Sequence, residues 1–181
     1  MTSWIPLPEV SSATGALADA YARVSATRGS VGNILRVHAT RPAALLAHLD
    51  LYRELMFSRS ELTRPEREMI ASVVSSVNGC HYCMHHHGRS LRELTRDSAL
   101  VEKILRDPRT VPLEPRWRVL ADLAILLTER PAAVREPDVQ RLREFGLSDA
   151  GVHDAVAIIA YFNYVNRLAE GLHVPLEPEG G

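Results

Sequence analysis

The sequence predicts an all-α protein. Apolar residues recur at spacings of three and four along most of the chain, and no stretch keeps the period-two alternation of a half-buried strand. Glycine, proline and hydroxyl residues fall where these stretches begin and end, which is where helices tolerate them.

Taken in order, Ser11 to Arg28 reads as a modest amphipathic helix closed by Gly29 and Gly32. From Pro42 onward, Leu45, Leu49, Tyr52 and Met56 form one helical stripe. Thr63-Arg-Pro-Glu66 is a helix start: Thr63 caps, Pro65 suits the first turn, and Glu66 completes a capping box. That helix is predicted to continue through Ile70, Val73, Val74 and Val77 until Asn78-Gly79 interrupts it. A further helix begins near Cys80 and passes Leu91. Pro115 to Glu129 is apolar on nearly every side, with Trp117, Leu120, Ala121, Ala124 and Leu127, so a buried helix is expected. Pro137 to Phe145 reads as a short helix ended by Gly146. Ser148 then caps a last long helix with the stripe Ala155, Ile158, Phe162, Val165 and Ala169. No repeat, low-complexity tract or linker intervenes, so residues 1–181 are expected to form a single domain. The Pro-, Glu- and Gly-rich stretch 171–181 is expected to be a loose tail.

Composition narrows the function. Hydrophobic residues make up 46% and charged residues 24% of 181, ordinary for a globular chain that buries about two-thirds of its unfolded surface. The net charge of -1, from 21 basic and 22 acidic residues without long blocks of one sign, gives no reason to expect nucleic acid or a membrane surface as partner. The opening segment, Met1 to Pro8, has neither the basic flank nor the apolar run of a signal peptide. The longest apolar runs, Val119 to Leu127 (broken by Asp122) and Ala155 to Phe162, fall far short of the roughly 20 residues of a membrane helix. A cytoplasmic location is therefore expected. There are two cysteines, three apart, and in a reducing compartment such a pair reads as redox chemistry or metal ligation.

The chemistry concentrates around that pair. Four of eight histidines stand at 81, 85, 86 and 87, beside Cys80 and Cys83. At about 100° per helical residue, Cys80, Cys83 and His87 project within roughly 60° of one another, while His85 points nearly opposite. Cysteines at helical i and i+3 have Cα atoms inside the ~4.4–6.8 Å window of a disulfide. Reactivity needs thiolate, and an unperturbed cysteine near pKa ~8.5 is mostly protonated at neutral pH. The first turn of a helix after Asn78-Gly79 favours an anion, and His87 can accept the proton and remain as a stabilising cation. The rival reading is zinc: Cys80, Cys83 and His87 offer three ligands, with His86 or another residue as a fourth. Structural zinc sites usually draw on two separate segments, whereas these ligands share one.

These residues resemble the alkylhydroperoxidase D / carboxymuconolactone decarboxylase family. Its redox-active branch carries Glu, eleven residues, Cys-x-x-Cys, three residues, then His. Here Glu68, Cys80, Cys83 and His87 occupy those positions. The segments Leu17 to Leu35, Leu51 to Met56 and Phe162 to Leu168 are also similar to members called peroxidase-related proteins, so the likeness covers about nine-tenths of the chain. The resemblance implies a helical bundle of the alkylhydroperoxidase D-like type and a peroxidase. Cys83 would be the peroxidatic thiolate, Cys80 the resolving thiol, and Glu68 with His87 the proton relay. It further implies a small hydroperoxide substrate and an external dithiol reductant, such as a lipoyl group or a thioredoxin-like protein. No cofactor is implied, and the assembly would be a homo-oligomer, a trimer or hexamer. One position departs from the pattern: peroxidase members carry His just before the second Cys, and Tyr82 stands there, with His81 pointing about 100° away. The decarboxylase branch lacks the cysteine pair. Three rivals remain: a zinc-binding or non-catalytic scaffold, a general thiol-disulfide oxidoreductase, and ring or lactone chemistry using Glu68 and His87 alone.

Elsewhere, Trp4 and Trp117 are expected to pack, and Asn163 and Asn166 to be satisfied buried amides. His38, His48, His153 and His173 read as isolated surface residues, and Tyr52 and Tyr82 as candidate pocket-lining rings.

Overall fold

The computed structural model describes residues 2–178. Among these, all regular secondary structure is helical. The helices are α1 (Gly15–Arg28), α2 (Asn33–Arg36), α3 (Pro42–Phe57), α4 (Arg64–Asn78), α5 (His81–Thr95), α6 (Ser98–Arg106), α7 (Pro115–Glu129), α8 (Glu136–Glu144) and α9 (Asp149–Gly171), with 3-10 turns at Val10–Ser12 and Pro131–Ala133. None is long and apolar enough to cross a membrane. The chain divides into two compact units: residues up to Glu54 together with those from Arg167 onward, and Leu55–Asn166. The division falls inside α3 and α9.

In the first unit, Ala20, Tyr21 and Val24 of α1 form a core with Leu35, Leu45 and Leu49. Helix α1 starts four residues later than Ser11, because Val10–Ser12 takes a separate 3-10 turn. Gly29 ends it at φ 79°, a left-handed backbone suited to glycine, with its N–H donating to the Ser25 carbonyl. The tail is tied down rather than loose as far as Glu177. Val174 is buried and bonds the Ala169 carbonyl at 2.8 Å, while Glu177 accepts from the Asn33 N–H at 2.7 Å. Residues 179–181 lie outside the described residues. Two histidines read as surface residues are buried: His38 is 9% and His48 6% exposed, with ring centroids 4.9 Å apart. Burial lowers the pKa of both, His48 to about 3, where His38 and Arg28 add smaller contributions. His173 is half-buried and stacks against Trp4 at 5.5 Å.

The second unit is organised around α4, whose residues from Glu66 to Ser75 are all buried. It packs against α5, α6 and α7. The predicted capping box is present: Glu66 accepts from the Thr63 N–H at 2.7 Å and its own N–H donates to the Thr63 hydroxyl at 3.4 Å. A helix buried on all sides must satisfy its polar side chains internally. Arg67 does so by donating to the carbonyls of Leu55, Ser58 and Leu62, and Glu66 by accepting from Arg116 at 2.5 Å. Helix α7, expected to be buried on nearly every side, is half-exposed along Trp117, Ile125, Leu126 and Leu127 and buries one face through Leu120, Ala121, Ala124 and Thr128. All five stripe residues predicted for α9 are buried. Helix α6 was not predicted. Its start signal is Asp97, whose carboxylate accepts from the Leu100 N–H at 2.9 Å, and Val101 and Ile104 supply its buried face.

Candidate functional site

The turn joining α4 to α5 decides where the sulfurs lie. Gly79 takes the left-handed conformation at φ 67°, its N–H bonds Ser76, and the Cys80 N–H bonds Ser75 at 2.9 Å. This pairing closes the end of α4 as a Schellman motif. Asn78 braces it from the side, donating to the amide oxygens of Asn163 (3.1 Å) and Asn166 (2.9 Å). Asn163 in turn donates to Thr128, and Asn166 to Ser75, so both amides are satisfied; Asn166 is buried as expected, whereas Asn163 is half-buried.

Cys80 becomes the N-cap of α5, with extended backbone at φ -77° and ψ 99°. It therefore lies outside the helical register, and the 60° projection holds for Cys83 and His87 but not for Cys80. Its carbonyl already accepts the first bond of α5, from the Met84 N–H at 2.9 Å. Cys83 is the third residue of the helix and so lies in its first turn, at the positive end of the helix dipole. Both cysteines are buried, 0% and 2% exposed, and they are not joined in a disulfide.

Glu68, the fifth residue of α4, is 1% exposed, and both its oxygens are paired. Oε2 lies 2.7 Å from Nδ1 of His87 on α5, and Oε1 accepts from Nη2 of Arg64 at 2.6 Å. Burial pushes the Glu68 carboxyl up, but His87 and Arg64 together outweigh it and hold the group below its ordinary value. A carboxylate accepts only, so Nδ1 of His87 carries the hydrogen in this pair and Nε2 is the ring's other nitrogen. The His87 ring packs T-shaped against Phe162 of α9 at 4.5 Å between centroids, which restricts its orientation. Two of the four predicted site residues are thus in direct contact, and the other two frame the start of the helix that carries His87.

Arg64 escaped the sequence reading, which treated Thr63 to Glu66 as a start signal only. Its spacing of four from Glu68 was the signal available. Beyond Glu68, its guanidinium donates to the Met56 carbonyl at 2.9 Å and lies 4.2 Å above the Phe57 ring. Tyr82 is buried and its ring lies 4.5 Å from that of His86, while His81 is exposed. Among the described residues, no three or more His, Cys, Asp or Glu side chains are grouped to hold a metal ion.

The model of the carboxymuconolactone decarboxylase family matches residues 42–106, the stretch holding Glu68, both cysteines and His87. An uncharacterized peroxidase-related protein from Silicibacter sp. TM1040 is 33% identical over 98% of this chain and 93% of its own, with a TM-score of 0.87. A second, the alkylhydroperoxidase AhpD core protein from Ralstonia eutropha JMP134, is 29% identical over 99% of this chain and 94% of its own, also at 0.87. The debrominase Bmp8 shares the fold at 18% identity and a TM-score of 0.73, over 89% of this chain and 86% of its own. No curated protein matches the chain. The chain belongs to the alkylhydroperoxidase D / carboxymuconolactone decarboxylase family, and its all-α architecture is that of the family's peroxidase-related members.

Proposed function

We propose that this protein is a thiol-dependent peroxidase that reduces organic hydroperoxides through Cys80 and Cys83, with Glu68 and His87 as the proton relay. The observation that carries the reading is the contact at 2.7 Å between buried Glu68 of α4 and His87 of α5, the helix that buried Cys80 caps and that holds buried Cys83 in its first turn. Cys83 and His87 are four apart on α5 and so share one helical face.

Glu68 takes the Nδ1 hydrogen bond and leaves Nε2 to exchange a proton with sulfur. The Cys83 thiolate attacks the terminal oxygen of the hydroperoxide, and the O–O bond breaks. The alkoxide departs as an alcohol with the proton held on His87, leaving a Cys83 sulfenic acid. The Cys80 thiol then attacks that sulfur and expels water, forming the Cys80–Cys83 disulfide. An external dithiol, of the lipoyl or thioredoxin-like class, reduces it by two thiol-disulfide exchanges. Helix N-terminal N–H groups and the imidazolium both favour the thiolate that starts the cycle.

The test is consumption of an alkyl hydroperoxide with a dithiol reductant. Cys83→Ser should bring turnover to background, and Cys80→Ser should leave a single turnover that stops at the sulfenic acid. Wild-type rates in Cys83→Ser would overturn the proposal. Dithiol-disulfide exchange without any peroxide consumption would replace it by a general thiol-disulfide oxidoreductase.

A further inference from the structure

Resting on the proton relay just proposed, we infer that Arg64 is a positioning residue of the Glu68–His87 pair: it fixes the second Glu68 oxygen and supplies the cation that sets how readily the pair takes up a proton.

Helix stability gives no reason for an arginine here. Arg64 is the first residue of α4, where the positive end of the helix dipole disfavours a cation. A base four residues before an acid is also the poorer order for a helical ion pair. The arginine nevertheless reaches inward, from 30% side-chain exposure to a carboxylate that is 1% exposed, with the short 2.6 Å separation of a charge-assisted bond. Its position is fixed by two further contacts, the Met56 carbonyl at 2.9 Å and the face of Phe57 at 4.2 Å. One buried carboxylate is thereby shared between two nitrogen donors on its two oxygens.

The groups acting electrostatically on Glu68 are His87 from α5 and Arg64 from its own helix. The remaining titratable group on that face of α5 is Cys83, one turn before His87. From α9 the residue against His87 is Phe162, which does not titrate. Removing the Arg64 charge leaves Glu68 wholly to His87 and favours the protonated form of the pair. The pH at which the relay becomes a competent base then rises. A unit charge at this separation, partly screened by solvent, is worth about one pH unit.

The alternative is that Arg64 only closes the end of α3 through Met56. Arg64→Gln removes the charge and keeps hydrogen-bonding capacity, and Arg64→Lys keeps the charge without the two-pronged fork. Two readouts are followed: the pH dependence of kcat/KM for dithiol-dependent hydroperoxide reduction, and the NMR titration of His87 in histidine-labelled protein. Arg64→Gln should move both midpoints up by about one unit, costing about tenfold in kcat/KM well below the wild-type midpoint and little above the variant's own raised midpoint. Arg64→Lys should keep the midpoints close to wild type. An unmoved NMR midpoint in folded Arg64→Gln overturns the inference, as does an equal loss of rate at every pH. Should Arg64→Gln fail to fold, Arg64→Lys decides: a retained midpoint supports the charge role and a displaced one overturns it. If the wild type consumes no hydroperoxide, the proposed function falls, while the NMR midpoints still judge Arg64.

Discussion

Two pairs of titratable groups stand in sharp chemical contrast. In the second unit, Glu68 and His87 meet at 2.7 Å with Arg64 closing the set, and the carboxyl is held below its ordinary value. In the first, His38 and His48 face each other at 4.9 Å, and burial alone is the largest influence, driving His48 down to about 3. The difference is compensation. A carboxylate with cationic partners on both oxygens keeps its ionised form and can work with protons, whereas a histidine on which burial is the largest influence is held in its neutral form. Burial by itself therefore says little about function here.

Removing the compensation should have the largest effect. Glu68→Ala strands His87 and Arg64 without their carboxylate. It should destabilise the protein by about 3 kcal/mol, at the lower end for a broken buried pair because Arg64 is partly solvated. Chemical denaturation at pH 7 measures this, and a loss under 1 kcal/mol would mean the pair is not compensated as described.

The histidine pair sets acid stability over a different pH range. A histidine whose folded pKa is depressed binds more protons when unfolded, so its stability contribution is complete above about 6.5 and is lost progressively toward 3. Each pH unit in that window costs about 1.4 kcal/mol. His48→Leu should therefore reduce the stability lost between pH 7 and pH 4.5 by about 2–3 kcal/mol. Glu68 also has a depressed pKa, but a carboxyl of this kind gives its stability above its unfolded value of 4.5 and loses it only below. If both variants altered acid stability over one pH range, the distinction between the pairs would be lost.

The smallest effect concerns the helix that carries Glu68. Thr63→Ala removes one half of the capping box and should cost about 1 kcal/mol, with the pH profile of the relay unchanged. A displaced profile would mean that the cap, and not Arg64 alone, positions the carboxylate.

Much of the site was legible because it is local. The α4–α5 break, the cap at Thr63 and the spacing of Cys83 from His87 are all set by residues within a turn or two of one another. Glu68 was reached through the family pattern: the capping box accounts for Glu66 locally, but nothing in the neighbourhood of Glu68 gives it a role. Contacts across longer distances were misread. His38 and His48 are ten residues apart in the sequence, and only packing reveals that they are buried together. Arg64 looked like part of a start signal because a charged side chain's direction is not encoded in its spacing.

Periodicity and capping chemistry, which act over three or four residues, determined by themselves that this chain is helical and where its cysteines enter a helix. The pairing of Glu68 with His87, the inward reach of Arg64 and the neutral state of His48 were decided only by the tertiary structure. The physical reason is that a group's charge state depends on solvent exclusion and on which opposite charges reach it, and both are properties of packed helices rather than of any one of them.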